Sequence, residues 1–256
     1  MKISIIGAGN VATQLAFAFK KAGHTLVQIY NRSDESGKEL AHAVGAAFTS
    51  DSYQLLQTDV YLIAVKDDAI AELASQLQSQ GKIVAHTSGS MSKDLLQVSS
   101  SNYGVFYPLQ TMTKVSKIDF KNVPFLIEGS NEQTTKTLEK LAQSISQNIH
   151  VVDEQQRQWV HVAAVFANNF TNHLFGLSES LLLAQGLPFE ILKPLIFSFI
   201  QNMQEYSPQQ LQTGPAARGD VQTINNHLLL LADDERLKKI YEILTNSIIT
   251  SVTQKL

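Results

Sequence analysis

The sequence predicts an α/β protein in which a doubly wound, mostly parallel sheet is followed by an all-helical domain. Up to about residue 152, short β-branched runs alternate with amphipathic segments, which is the pattern of βαβ units. From residue 153 the strand signals stop and helical periodicity continues to the C-terminus. The chain of 256 residues has room for two domains. We therefore predict an α/β domain over residues 1–152 and a helical domain over residues 153–256.

The elements of the first domain follow from this alternation. Helices fill the intervals between strands, and the clearest are 10–22, which ends at Gly23, and 131–147, with Ser130 as the expected N-cap. In the second domain, helices are expected near 154–184, 188–206, 220–231 and 234–254. Strands are predicted at about 2–6, 26–30, 60–65, 82–86, 103–106, 123–127 and 149–152.

Composition excludes several classes of protein. With 44% hydrophobic residues, 17% charged residues and a net charge of −3, the chain is neither disordered nor basic enough to indicate a nucleic-acid partner. The absence of cysteine excludes thiolate nucleophiles and cysteine metal sites, and we predict no metal. No export signal and no apolar run of roughly 20 residues is found, so a membrane partner is not expected. These features favour a cytoplasmic protein.

A glycine-rich turn carries the most specific signal. Gly7-Ala8-Gly9-Asn10-Val11-Ala12 follows an apolar strand and opens a helix, as in the G-x-G-x-x-G/A fingerprint of Rossmann dinucleotide-binding domains. Gly7 permits the tight turn, and Gly9 lets the backbone approach a pyrophosphate at the helix N-terminus. The alternative is a tight βα turn without a ligand. We predict that the pyrophosphate of a nicotinamide dinucleotide contacts Gly7, Ala8, Gly9, Asn10 and Val11.

The end of the second strand favours NADP over NAD. NAD-binding proteins place an acidic residue here for the ribose 2′-hydroxyl, whereas this chain has Asn31-Arg32-Ser33. Arg32 can stack on adenine and pair with a 2′-phosphate, while Asn31 and Ser33 donate hydrogen bonds. A solvent-exposed loop arginine is the alternative. Val65 and Lys66 follow the next predicted strand, where Val65 is expected to line the nicotinamide ribose pocket and Lys66 either contacts ligand or lies in a solvated turn.

Two loops leave later strands at the edge where a substrate is expected. His86-Thr87-Ser88-Gly89-Ser90 offers uncharged donors, so Thr87, Ser88 and Gly89 are predicted substrate contacts. Capping of the helix that starts near residue 92 explains the same hydroxyl groups equally well. The second loop is Tyr107-Pro108-Leu109-Gln110-Thr111.

The helical domain supplies the remaining candidates. His161, Asn168 and Asn172 share one face of a continuous α-helix, with His161 as a provisional proton donor and the two asparagines as substrate contacts. A core or interface histidine is the alternative. Arg218 lies among small residues and can hold an anionic group bidentately, or it pairs with Asp220 to close its own loop. The helix at 154–184 is apolar over much of its circumference, which fits burial in the monomer or a homodimer through the helical domain.

Taken together, the chain resembles the 6-phosphogluconate dehydrogenase-like superfamily. The Gly7–Ala12 turn, the Asn31–Ser33 segment and Val65 are similar to pyrroline-5-carboxylate reductase and β-hydroxyacid dehydrogenases. The 86–89, 107–111, 161–169 and 213–220 segments resemble a bacterial group of NADP oxidoreductases whose helical domain is of unknown function. The resemblance implies a Rossmann domain that binds NADP.

One departure concerns the chemistry. β-Hydroxyacid dehydrogenases carry a catalytic lysine four residues before an asparagine on the first interdomain helix, but Ala164 and Val165 occupy those positions here. No lysine lies between residues 154 and 184. From the cofactor motifs and the resemblance we hypothesise hydride transfer between NADP(H) and a small, anionic carbonyl or imine substrate in the interdomain cleft. His161 or a bound water must then replace the lysine, or an imine substrate must need less help. The alternatives are an NADP(H)-binding sensor without turnover and, less favoured, a scaffold for another nucleotide such as a flavin.

Overall fold

The computed structural model describes residues 1–77, 79 and 81–253, which form two compact units, Met1–Ala167 and Asn168–Leu256. The last strand ends at Val151, next to the predicted domain boundary, whereas the compact units separate after Ala167. The difference arises because the first helix after the sheet, which contains Arg157, bonds to strand and loop residues of the first unit.

The first unit contains the predicted doubly wound sheet. Its eight described strands are ordered β3-β2-β1-β4-β5-β6-β7-β8, and the β6–β7 pair is antiparallel while the other neighbours are parallel. The short strand β3 was not predicted, since three residues carry too little periodicity to be recognised. The strands are β1 Lys2–Ile6, β2 Thr25–Tyr30, β3 Ala47–Thr49, β4 Val60–Ile63, β5 Ile83–His86, β6 Tyr103–Pro108, β7 Phe125–Gly129 and β8 Ile149–Val151.

Apolar residues cover both faces of the central strands. In β4, Val60 and Leu62 pack into one core with the buried face of the first helix, while Tyr61 and Ile63 pack into a second core on the other face. A strand that is buried on both sides reads as a continuous apolar run, which is why β1 and β4 are recognisable from sequence. The four helices of the sheet region are α1 Asn10–Lys21, α2 Asp34–Val44, α3 Ile70–Gln76 and α4 Glu132–Gln143.

The predicted cap of α4 is wrong by one residue. Asn131, not Ser130, is the N-cap, because its side chain accepts a hydrogen bond from the Thr134 amide at 2.8 Å. The Ser130 hydroxyl instead accepts from the Tyr103 amide and donates to the Ser101 carbonyl. Serine and asparagine are both good N-caps, and tertiary contacts decide between neighbours.

The long helix expected over residues 154–184 is interrupted. It consists of α5 Glu154–Ala164, a π-helix Val165–Phe170 and α6 Thr171–Leu183. A π-helix has i→i+5 hydrogen bonds and changes the helical phase, which a 3.6-residue pattern does not reveal.

The second unit is helical after α6, as predicted. The segment expected at 188–206 begins as a 3₁₀-helix, Phe189–Leu192. Asp220 caps α9, as expected, by accepting from the Thr223 amide at 3.0 Å. Within the described ranges, no helix has the length and apolar character needed to cross a membrane. The remaining helices are α7 Lys193–Asn202, α8 Pro215–Arg218, α9 Val221–Leu230 and α10 Glu235–Thr253.

Candidate functional site

A cleft of about 460 Å³ opens at the carboxyl ends of β1, β2 and β4. All of the residues predicted to bind the dinucleotide line it, except Ser33, which precedes α2. Thr87, predicted as a substrate contact, lines the same cleft. The described lining residues are Gly7, Ala8, Gly9, Asn10, Val11, Tyr30, Asn31, Arg32, Ala64, Val65, Lys66, Ala69, Leu73 and Thr87.

The two glycines of the first turn have different roles. Gly7 has φ +121°, and a Cβ atom there would collide with the Ala64 carbonyl, so this position requires glycine. A Cβ atom on Gly9 would meet none of the described atoms within 4 Å and would project into open space. Gly9 is the N-cap of α1 and has no side chain to satisfy the first amides of the helix. The turn therefore offers free N–H donors and a positive dipole end beside a space that an anionic group can fill.

Charge in the cleft favours a phosphate-bearing ligand. Arg32 and Lys66 are exposed cations in its lining, and no carboxylate is found among the described residues that line it. The Asn31 amide nitrogen donates to the Ser33 carbonyl at 2.9 Å and to the Ser36 hydroxyl at 3.0 Å. The Asn31 side chain therefore stabilises the turn after β2. Arg32 is the cation at this end of the strand.

The loop after β5 is held by its own hydroxyl groups. The Ser88 hydroxyl accepts from the Ser90 and Met91 amides at 3.2 and 3.1 Å, and the Ser90 hydroxyl donates to Asp67 at 2.6 Å. Ser92 caps the following 3₁₀-helix and donates to Glu154 at 2.6 Å. Ser92 therefore caps the helix, and Ser88 closes the turn before it. Thr87 lines the cleft, and its hydroxyl donates to the Ile63 carbonyl at 3.5 Å.

His86 also contributes to the loop. Its Nδ1 accepts from the Ser88 amide at 3.1 Å, so its Nε2 carries the proton and donates to the Ser92 carbonyl at 3.3 Å. The pKa of His86 is lowered from 6.5 to about 4, chiefly by burial, with the charge of Arg157 acting in the same direction and the bond to the Ser92 carbonyl opposing. The imidazole is therefore neutral near pH 7.

Gly89 packs against a tyrosine–histidine pair. The Tyr107 hydroxyl lies 2.9 Å from His161 Nδ1, and their rings meet edge to face with centroids 5.8 Å apart. A Cβ atom on Gly89 would collide with both rings, so any other residue must displace them. Burial raises the pKa of Tyr107, with Asp67 acting in the same direction and Arg157 opposing. Tyr107 is thus a neutral partner that orients the half-buried His161.

Three charged residues near this pair were not predicted. Arg157 of α5 has no exposed surface and lies 3.2 Å from the Glu128 carboxylate of β7, which also bonds Lys93 at 2.6 Å. Arg157 donates to the Ser88 and Gly89 carbonyls at 3.3 and 2.9 Å. One signal was available, since Arg157 precedes His161 by one helical turn. Its partners are distant in sequence and could not be read from spacing.

The candidates beyond residue 167 belong to the second unit. Asn168 lies in the π-helix and Asn172 in α6, so the expectation that both share an α-helical face with His161 was wrong, because it assumed uninterrupted α-helical phase. Arg218 ends α8 with 64% of its side chain exposed. Its nearest guanidinium nitrogen is 4.0 Å from Asp220, so this loop ion pair is long and leaves Arg218 accessible.

Comparison with known sequences divides the chain into two regions. Residues 2–88 match the family described as NADP oxidoreductase coenzyme F420-dependent. Residues 123–248 match a domain of unknown function, DUF2520. No curated protein matches the chain.

Solved structures resemble the whole chain. BF3122 of Bacteroides fragilis, assigned as an NADP oxidoreductase, is 40% identical over 97% of this chain and 98% of its own, with a TM-score of 0.90. An imine reductase of Myxococcus stipitatus in complex with NADP⁺ is 16% identical, with a TM-score of 0.66 and coverage of 99% and 93%. Pyrroline-5-carboxylate reductase of Streptococcus pyogenes is 15% identical, with a TM-score of 0.65 and coverage of 99% and 98%. The last two likenesses concern the fold.

The neutral, buried His86 predicts acid-sensitive stability. Its folded pKa lies below its unfolded value, so the unfolded chain binds an extra proton between pH 6.5 and about 4. Over that window His86 should reduce the free energy of unfolding by about 1.4 kcal/mol per pH unit as pH falls. Urea unfolding of His86→Gln should show a shallower pH dependence than the parent, with exposed His150→Gln as the control. Equal slopes in all three proteins would contradict this assignment.

Proposed function

This chain belongs to the NADP oxidoreductase family that includes BF3122, and from that premise we propose that it transfers hydride between NADP(H) and a small carbonyl or imine compound. The observation that carries the proposal is the cleft beside the Gly7–Gly9 turn, which combines unpaired helix amides, two cations and an opening at Gly9. Those features suit a phosphate-rich dinucleotide.

Particular residues fit parts of NADP(H). The amides at the start of α1 would hold the pyrophosphate, with Gly9 allowing close approach. Arg32 would pair with the 2′-phosphate, because it is the cation at the end of β2 and no carboxylate lies beside it in the described cleft lining. Val65, Lys66 and Thr87 line the side of the cleft nearest the loop after β5. When bound, NADPH supplies the hydride.

His161 is the proposed proton donor to the reduced carbonyl or imine. Tyr107 engages Nδ1 of His161, which leaves Nε2 as the nitrogen for exchange with substrate. This contact fixes the orientation of the ring, which a general acid needs. The absence of lysine from residues 154–184 supports a different proton donor from that of the β-hydroxyacid dehydrogenases.

The substrate proposal is a small anionic molecule. The exposed guanidinium of Arg218 would pair with a carboxylate of the substrate. The uncharged Thr87–Gly89 segment would contact the carbonyl or imine group through hydrogen bonds. Asn168 and Asn172 are retained as proposed polar contacts. An imine is favoured within this class because imine and pyrroline-5-carboxylate reductases share the fold, although their low identity supports nothing finer.

A second candidate function is NADP(H) sensing without turnover. The missing lysine favours it, because dinucleotide binding needs only the cleft. The two functions differ in a single respect, which is whether bound NADPH is consumed when a carbonyl or imine is added.

We also propose that the helical unit mediates a homodimer. Its described helices expose several large apolar side chains, including Leu229 and Leu230, which are 74% and 83% exposed. Apolar surface of this extent on a soluble chain normally marks an association site, and a second copy presents the same surface. Sedimentation equilibrium at micromolar concentration should give the dimer mass. Leu230→Asp should shift the equilibrium to monomer, whereas the exposed control Val115→Asp should not. A monomeric parent protein would contradict the proposal.

The cofactor assignment predicts a selective loss of NADPH binding. Arg32→Ala should weaken NADPH about 10- to 100-fold, since a charge-assisted contact contributes about 1.5–3 kcal/mol, and should barely change NADH affinity. Fluorescence titration of both dinucleotides measures this. Arg236→Ala, which removes an exposed arginine elsewhere, is the matched control. Equal weakening of both dinucleotides, or of neither, would exclude 2′-phosphate recognition by Arg32.

The proton-donor assignment predicts that removing the imidazole of His161 lowers turnover but not NADPH binding. His161→Ala should lower kcat about 10²- to 10⁴-fold and leave NADPH affinity within about twofold, because His161 does not line the cofactor cleft. Consumption of NADPH with 1-pyrroline-5-carboxylate, 1-pyrroline and pyruvate, followed at 340 nm, provides the assay, with His150→Ala as control. Retained activity in the variant would remove His161 from the mechanism. Tight NADPH binding without turnover of these compounds or a wider panel of imines and keto acids would favour the sensor.

A further inference from the structure

A buried charge cluster lies behind the loop after β5, outside the cofactor cleft. The side chains of Arg157, Glu128 and Lys93 are 0%, 7% and 22% exposed. Two cations share one carboxylate, since Arg157 contacts Oε2 and Lys93 contacts Oε1 of Glu128. Burying such a cluster costs desolvation energy that an apolar replacement would avoid. The cluster is therefore poorly explained as a device for stability alone.

The guanidinium of Arg157 joins three parts of the first unit. It extends from α5, pairs with Glu128 on β7, and donates from one nitrogen to the carbonyls of Ser88 and Gly89. A planar fork makes these contacts in fixed directions, which a lysine ammonium cannot reproduce. Glu128 in turn holds the guanidinium in place. Arg157 thus positions the loop backbone, and its own guanidinium is held by Glu128.

The same loop backbone contacts the Tyr107–His161 pair. Gly89 accepts from Arg157 through its carbonyl, and its Cα is so close to both rings that a Cβ atom would overlap them. His161 lies one turn after Arg157 on α5, on the same side of the helix. Movement of the guanidinium would therefore shift Gly89 and, through it, the rings of Tyr107 and His161.

We propose that Arg157 is a positioning residue: through Gly89 it holds the Tyr107–His161 pair in one geometry and one tautomer. The role rests on the proposed function, in which His161 Nε2 exchanges the proton. Arg157 is buried behind the loop and acts through other residues, so we do not assign it contact with substrate. Arg157 is not among the residues described as lining the cofactor cleft.

The first test observes His161 directly and does not need a substrate. Two-dimensional ¹⁵N NMR of histidine-labelled protein, with the His161 resonances assigned through His161→Gln, reports which ring nitrogen carries the proton. The parent should show a single tautomer, and Arg157→Lys should show a mixture. Gly89→Ala, whose Cβ atom would overlap both rings, should reproduce that mixture. Lys136→Gln removes an exposed ion pair with Glu132 and should leave the parent spectrum.

The second test separates positioning from folding. With NADPH and 1-pyrroline-5-carboxylate, Arg157→Lys should lower kcat about 10- to 100-fold, since small misplacements near the chemistry have effects of this size, while the KM for NADPH stays within about twofold. Gly89→Ala perturbs the same two rings without removing a buried charge, so it should also lower kcat and serves as the second variant if Arg157→Lys unfolds. A single parental tautomer with unchanged kcat in Arg157→Lys would overturn the proposal. If the parent protein has no turnover, the proposed reductase function fails. The NMR result then still decides whether Arg157 positions the Tyr107–His161 pair.

Discussion

The bond between the Arg157 guanidinium and the Glu128 carboxylate is the interaction on which the loop after β5 and the adjacent Tyr107–His161 pair depend. It joins the first helix after the sheet to strand β7, and its remaining donors hold the 88–89 backbone. Removing one partner would leave a buried ion without compensation, which is far more costly than losing an exposed pair. The loop, the Tyr107 hydroxyl and the His161 ring therefore share one support, and α5 packs with the sheet as part of the first compact unit.

The cofactor end of the molecule depends on backbone geometry. At Gly7 the positive φ and the adjacent Ala64 carbonyl leave no room for a side chain, and at Gly9 the space is open. Such constraints are local and leave a direct mark on the sequence, since few residues other than glycine satisfy them. For this reason the turn, the cleft and Arg32 could be predicted from residue types and spacing. Ser33 occupies the N-cap position of α2, outside the described cleft lining, and its predicted contact with the dinucleotide stays a prediction.

The loop and helix positions were less accessible from sequence, for physical reasons. Arg157 and Glu128 are separated by 29 residues, and their contact exists only after α5 packs on the sheet. The π-helix Val165–Phe170 changed the helical phase without any proline or glycine to indicate it. The hydroxyl of Ser88 had two equally plausible roles, and only its hydrogen bonds show that it stabilises the loop. The pattern of apolar residues located every major strand, but it contains no information about polar partners across the sheet.

The two ends of the first unit meet where the loop after β4 contacts the loop after β5. The Thr87 amide donates to the Ile63 carbonyl, and the Ser90 hydroxyl bonds Asp67, one residue after the cleft residue Lys66. Tyr107 and His161 themselves lie outside the described lining of the cleft, so side chains on the histidine side can differ without a change in the glycine turn. That separation explains how a chain can keep the nucleotide-binding features of its fold and yet lack the lysine of the β-hydroxyacid dehydrogenases. Under the proposed function, substrate preference would then be set by side chains such as those around Tyr107 and His161, which lie outside the described cleft lining.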